Sequence, residues 1–393
     1  MLSSMDDYPL HQLPEVIRHV GTSDRNFYDR YYFNLHASSD ELFLAMGLGQ
    51  YPNLAVQDAF AVVRRGDRHL VVRASREMGD RMDTSVGPFR VEVLEPLKRL
   101  RVVLEPSEHG IAFDLTWTGA IPAFLEPRHF VRKYGRVLFD TQRLAQTGCW
   151  SGTLEVAGER FAVTPDRWKG TRDRSWGVRP VGEAEHPGIR QGEGQLVGMW
   201  NYAPMQFDDF SIVYIVQEEP DGRRTIEEAV RVWADPKRAP ELLGRPEYEH
   251  TLVPGTRMIE APSRLLFPQA PGGGFEIRVV PLTHCFITVG TGYGMETDWR
   301  HGMYQGPLVV QGREWSMRDL ATWAWFGTWE IAAVICAAIV INIAAAAIAG
   351  VLIPLALKRM RIDPALAGGV ILTTVTDIVG FAALLGLGTI FLI

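Results

Sequence analysis

The sequence is poor in cysteine, in nucleotide-binding signatures and, from position 331 to its end, in charge. Cys149, Cys285 and Cys336 are the only cysteines among 393 residues. So odd and scattered a set excludes a disulfide framework and a CxxC metal site, and it fits inert thiols in a reducing compartment. No Walker A string, Rossmann GxGxxG, HExxH, GxSxG or EF-hand loop occurs, which argues against a nucleotide-dependent enzyme. Gly272-Gly273-Gly274 reads as a turn, because no helical pattern follows it. The N-terminus, MLSSMDDYPL, has no basic stretch leading into an apolar run and so reads as lacking a secretory signal. Positive charge is not in excess either. The net charge is −6, without the basic footprint of a general nucleic-acid binder.

The charge that is present is unevenly spread. Of 40 basic and 46 acidic residues, only Lys358, Arg359, Arg361, Asp363 and Asp377 fall in 331–393, so the chain before position 331 holds 37 and 44. The mean hydropathy of −0.02 thus averages a water-soluble body and an apolar tail. Residues 331–357 carry no charge, and this run exceeds the roughly 20 helical residues that a bilayer core requires. Lys358 to Arg361 form a basic turn, and Asp363-Pro364 reads as an N-cap with proline at the first helical position. A second apolar run, 365–393, is interrupted only by Asp377. The expectation is a transmembrane helical hairpin. Asp377 near mid-membrane costs about 2.5–3.5 kcal/mol on insertion scales. Thr373 and Thr374 lie one turn earlier on its face. Such oxygens suit a hydrated divalent cation, although a protonated, structural aspartate reads equally well. Asn342 is either a polar helix–helix contact or a pore-lining group, and Ala346 and Gly350 form a small-xxx-small pair.

The string IPLALKRMRIDPALAGGVILTTVTDIVGF (353–381), with IVINIAAAAIAG (339–350) before it, resembles the last two helices of the MgtE-type magnesium transporter family. The resemblance implies Mg²⁺ as transported ion, with Asp377, Thr373, Thr374 and Asn342 toward it. It also implies a homodimer through the hairpin, in the cell (inner) membrane. The family has five membrane helices; two are legible here. The positive-inside rule puts the basic turn in the cytoplasm, which would place residues 1–330 on the other side without an export signal. The orientation stays open, as does the possibility that two gene fragments are joined.

The body reads as β-rich. Ile111, Phe113, Leu115 and Trp117 alternate, as do Phe210, Ile212, Tyr214 and Val216, and then Phe275, Ile277 and Val279. Strands at this spacing, with Gly/Pro/Asp turns, suggest a sandwich or barrel, and the length suggests two units divided near 145. Helices are expected only over 10–19, 39–47 and 224–233. Trp323, Trp325 and Trp329 read either as an interfacial belt or as the last strand of the body.

The densest motif is GERFAVTPDRWKGTRDRSWGVRP (158–180). Its functional reading makes Asp173 a general acid or base at a cavity mouth, with Arg172 or Arg174 tuning it. Its bland reading is a turn whose ion pairs close a barrel end. The motif, with YPNLAVQDAFAVVRRG (51–66) and DWRHGMYQGPLVVQG (298–312), resembles the lipocalin-like carotenoid 1,2-hydratase/AttH group, uncharacterised members above all. That resemblance implies two lipocalin-like β-barrels over about 30–315. It also implies acid-catalysed hydration of an apolar C=C substrate, with Asp173 as proton donor and Trp176 as cavity wall. His186, His301 and Trp200 are further candidates for the mouth.

The reading is therefore a mainly β chain: two lipocalin-like β-barrel units (1–145 and 146–328) followed by a two-helix transmembrane hairpin (329–393). Its expected partners are the lipid bilayer, a second copy and an apolar small molecule. The expected function is divalent cation transport fused to a β domain or, alternatively, an anchored β domain that binds or hydrates an apolar ligand.

Overall fold

The computed structural model describes residues 2–133, 135–185, 198–253, 258–294, 296–317, 329–360, 373–383 and 385–387. The chain divides into two compact units, Met1–Met317 and Arg318–Ile393.

The first unit is built from strands. They are β1 (Phe27–His36), β2 (Phe43–Tyr51), β3 (Val56–Arg65), β4 (Arg68–Glu77), β5 (Ser85–Val86), β6 (Phe89–Glu95), β7 (Arg99–Leu104) and β8 (Ile111–Gly119). After them come β9 (Phe124–Leu125), β10 (His129–Lys133), β11 (Arg136–Val156), β12 (Glu159–Val163) and β13 (Lys169–Val178). The remainder are β14 (Met199–Gln206), β15 (Phe210–Glu218), β16 (Arg224–Trp233), β17 (Glu241–Leu242), β18 (Glu247–Leu252), β19 (Ile259–Phe267), β20 (Phe275–Val279) and β21 (Leu308–Ser316).

The main sheet is antiparallel in the order β21-β4-β3-β2-β1-β13-β11-β8-β7-β6-β5. It curls until β5 returns to β3 and β4, where Gln57 Nε2 and Arg76 Nε both donate to Ser85 O. The alternation along GIAFDLTWTG sends Ile111, Phe113, Leu115 and Trp117 to the inside, where they pack with Phe33, Trp150 and Trp168. Of the three indoles, Trp150 Nε1 donates to Asn34 O at 2.8 Å, whereas Trp117 Nε1 and Trp168 Nε1 are buried without a partner among the described residues. Room for these rings comes from glycine. A Cβ on Gly148 would lie 2.6 Å from the Trp117 ring, and one on Gly170 would lie 2.0 Å from Asn34 O.

A four-stranded sheet (β14-β15-β16-β17) and a three-stranded sheet (β18-β19-β20) follow. They share a core of Ile212, Tyr214, Val216, Leu265 and Phe267. The other face of the four-stranded sheet carries Val213, Val230 and Val232, which pack on Ile121 and Ala145 of the barrel-like sheet.

The mainly β expectation holds, with barrel-like sheets. The three expected helices do not form. Residues 10–19 run as bends and turns, and β2 and β16 occupy most of 39–47 and all of 224–233. In both strands cross-strand pairing overrides the local helical pattern. Position 145 lies inside β11, which pairs without interruption from Asp140 to Cys149 with β13; the body to Met317 is one compact unit. The glycine triplet is a turn between β19 and β20, as expected. Trp315 belongs to β21, edge-on to His69; Trp323 and Trp325 lie outside the described residues.

In the second unit, helix α1 (Trp329–Arg359) has 31 residues and contains Pro354. Its stretch Ala337–Arg359 is long and apolar enough to cross a membrane by length and composition, and a shorter apolar helix runs Thr373–Leu387. The two helices meet at Gly380, where a Cβ would lie 3.1 Å from Asn342 Nδ2, whereas Gly350 faces open space. The close approach therefore uses Gly380 rather than the Ala346/Gly350 pair. Arg361, Asp363 and Pro364 lie outside the described residues.

Candidate functional site

The motif GTRDRSW is neither a turn nor a mouth loop. It is the middle of β13, between β1 and β11. Successive strand residues face opposite ways, so Asp173 and its two neighbouring arginines part company. Arg172 lies opposite Phe33 and Gln146, on the barrel side. Asp173 lies opposite Tyr32 and Ala145, on the face that meets the four-stranded sheet. The two-residue period of the strand sends these sequence neighbours to opposite faces of the sheet, although the Asp173 charge still favours the Arg172 cation.

Asp173 instead faces two arginines that the sequence reading missed, Arg143 and Arg30. Burial pushes its carboxyl up to about 6; Arg143, Arg30 and Arg179 pull it down, and Glu126 adds to the rise. Its carboxylate has no hydrogen-bond partner among the described residues, and the side chain retains partial access to water.

On one side of Asp173, Arg143 Nε donates to Glu126 Oε2 at 2.6 Å, and its Nη2 reaches the same oxygen at 2.5 Å. The guanidinium also lies 4.6 Å from the Tyr202 ring and 4.8 Å from the Trp200 ring. Burial opposes the Arg143 cation, but Glu126 beside it prevails and raises its pKa. Nearby, burial lifts Glu228 to about 7, with Glu126 adding repulsion. Burial and then Arg143 push His129 down to about 4.

On the other side lies a second network. Arg30 Nη2 donates to Tyr293 OH at 3.1 Å and meets His301 Nε2 at 3.0 Å. His301 Nδ1 lies 3.4 Å from Asp58 Oδ2, which also accepts from Gly302 N at 2.8 Å. Tyr51 OH donates to Asp58 Oδ1 at 3.2 Å. Burial, with Arg30 next, pushes His301 down to about 4, so the imidazole is neutral at pH 7. Because arginine can only donate, Nε2 accepts and the ring proton sits on Nδ1, toward Asp58. This network pins the loop that carries Tyr293 and His301 onto β1 and β3.

The layer can hold and exchange protons, since two acids in it titrate near neutrality beside a fixed arginine. Of the expected mouth residues, His301 is buried in this layer and Trp200 is 43% exposed at its Arg143 edge. His186 lies outside the described residues. Trp176 pairs with Asp29 on the barrel side, away from Asp173. The space bounded by Phe33, Met46, Leu48, Phe89 and Val102 is about 10 Å³, at or below the volume one water needs. Trp117, Trp150 and Trp168 are buried in the same core.

In the second unit, Thr373, Thr374 and Asp377 are exposed on the shorter helix, and Asn342 is half-buried where α1 meets it. Asn342 Oδ1 is buried without a partner among the described residues. No cluster of three or more His, Cys, Asp or Glu suited to a metal ion occurs among the described residues.

Residues 2–340 match a family described as being of unknown function (DUF8625). Residues 316–387 match the family described as divalent cation transporter (MgtE). No curated protein matches the chain. Among solved structures, an AttH-type protein from Nitrosomonas europaea is similar at 15% identity and TM-score 0.46, over 71% of this chain and 87% of that one. CghA with Sch210972 is similar at 12% identity and TM-score 0.40, over 66% and 77%.

Proposed function

Because the chain belongs to this family of unknown function and adds to it an MgtE-like helical segment, we propose that it is a membrane protein that handles a divalent cation, with Mg²⁺ as the transported substrate. The observation that carries this reading is the placement of Asp377. It is exposed on an apolar helix whose Gly380, one turn further on, packs against Asn342 of α1. A lone carboxylate facing lipid is costly, so a second copy is needed to cover it. Two such carboxylates, with Thr373 and Thr374 of each copy beside them, would face a hydrated Mg²⁺ through its water shell. The β body is then a fused domain outside the bilayer. Uptake of Mg²⁺ by proteoliposomes loaded with a fluorescent indicator tests this. The wild type should transport, Asp377→Ala should not, and equal uptake by both would remove the reading.

A second reading concerns the β body and is favoured by one observation, the unpaired Asp173 at a pKa of about 6. In it the helices are an anchor and Asp173 is a general acid, protonating a C=C bond before water adds and returns a proton. The substrate would approach through the polar layer around Asp173. Incubation of the full chain with a C20 isoprenoid alcohol in ¹⁸O-water should give an ¹⁸O-labelled product that Asp173→Asn fails to form. Absence of label in both proteins removes this reading.

A further inference from the structure

The segment ahead of β1 has no part in either reading above. It is fastened to the body at two places. Asn53, in the turn between β2 and β3, donates from Nδ2 to Thr22 O and to Asp24 O, each at 2.8 Å. Arg81 Nη1, beyond β4, donates to Ile17 O at 3.3 Å. Between these anchors, residues 18–23 line a groove of about 520 Å³ together with the β2–β3 turn and Met78. That volume falls in the range of small-molecule sites. One part of the lining is apolar: Leu13, Val20, Pro52, Ala55 and Met78. Leu13 is 47% exposed yet packs close on Gly21, where a Cβ would lie 2.9 Å from its Cδ1. Covering such a wall removes apolar surface from water, which is favourable. The charged part of the lining is cationic. Arg18 and His19 face the groove, and no aspartate or glutamate does. The half-buried Arg18 guanidinium has no hydrogen-bond or ion-pair partner among the described residues. The acids of the same segment are engaged elsewhere or exposed. Asp6 Oδ1 accepts from Ile17 N at 2.7 Å and meets His11 Nε2 at 2.9 Å, Asp24 Oδ1 accepts from Asn26 N at 2.9 Å, and Asp7 and Glu15 are exposed. A guanidinium carries five donors and keeps its charge, so this one is available to a visitor.

We propose that the groove binds a small anion with an apolar body, Arg18 gripping its carboxylate or phosphate group and the wall of Leu13, Pro52 and Met78 covering the rest. A guanidinium matches either group through paired, charge-assisted hydrogen bonds. The anchors on Asn53 and Arg81 preform the wall, which lowers the ordering cost of binding. No lining residue belongs to the layer around Asp173 or to the helices, so the site stands independently of both readings above.

Calorimetric titration of the full chain in lipid nanodiscs, with empty nanodiscs as the blank, tests this with three probes: 3-phenylpropionate, phenyl phosphate and the uncharged 3-phenylpropan-1-ol. Saturable heat is expected from at least one of the two anions, and the stronger one names the acid group. The alcohol should bind at least about tenfold more weakly than that anion, the scale of a lost charge-assisted hydrogen bond. Arg18→Gln should weaken the anion by the same factor and, with no partner to lose, should melt like the parent. Ser23→Trp, at an exposed lining position, should block the groove and abolish binding. The proposal is overturned by no saturable heat from either anion at millimolar concentration, by an alcohol that binds as tightly as the anions, or by unchanged affinity in Arg18→Gln. If Arg18→Gln does not fold, Ser23→Trp decides alone, and unchanged affinity there also overturns the proposal.

Discussion

Replacing Asp173 by asparagine should stabilise the β body at neutral pH and leave it unchanged in acid. The ordinary carboxyl pKa is 3.8, and burial in the layer raises it to about 6. In the folded chain the proton is therefore held more tightly than in the unfolded one. Between these two values the native state binds more protons, so stability falls as pH rises through the window. Each tenfold change in protonation is about 1.4 kcal/mol, which makes the full loss about 3 kcal/mol above pH ~6. Asparagine keeps the shape and cannot ionise, so it avoids that loss. The variant should unfold like the wild type near pH 3.5 and gain up to about 3 kcal/mol at pH 7. Urea unfolding of the full chain, followed by circular dichroism at a series of pH values, reads this directly. A variant that is less stable at pH 7, or a difference independent of pH, would refute the placement of Asp173 as an unpaired, recessed acid.

Arg143→Ala should be among the most damaging single changes, because it strands the buried Glu126 carboxylate; a loss of about 3–5 kcal/mol in urea unfolding is expected. Gly170→Ala should destabilise by about 1–3 kcal/mol, as overpacking does, since its Cβ would meet Asn34 O at 2.0 Å; an unchanged melting temperature would contradict the registry of β1 and β13. His301→Ala should free the loop that carries Tyr293 from β1 and β3, raising its amide hydrogen exchange while that of the barrel core stays slow. Gly380→Leu should force α1 and the shorter helix apart at Asn342, lowering the melting temperature of the helical signal in detergent, whereas Gly350→Leu, with nothing within 4 Å of its Cβ, should leave it unchanged.

Much of the architecture was legible in period and composition. Alternation along Ile111–Trp117 and Phe210–Val216 reports strands because a pleat has a repeat of two, and that signal survives without tertiary knowledge. The charge-free run 331–357 likewise reports an apolar helix, and a family match to the same segment adds a second line of support. Asp377 stood out as a lone carboxylate in an apolar run, and Asp173 as a carboxylate flanked by Arg172 and Arg174 beside Trp176. The helical patterns at 39–47 and 224–233 misled, because a strand's conformation there depends on partners far away in the chain.

What the sequence determined alone was local: strand or helix, apolar or charged, which residues are chemically capable. Tertiary structure decided the company each residue keeps. Arg172 and Asp173 are adjacent in the chain yet serve opposite faces of one sheet, while Arg30, Glu126 and Arg143, distant in the chain, surround the same acid. The reason is geometric. A strand separates its neighbours by half a turn, and only the register of its partners, set by packing over the whole body, determines which distant side chains share each face.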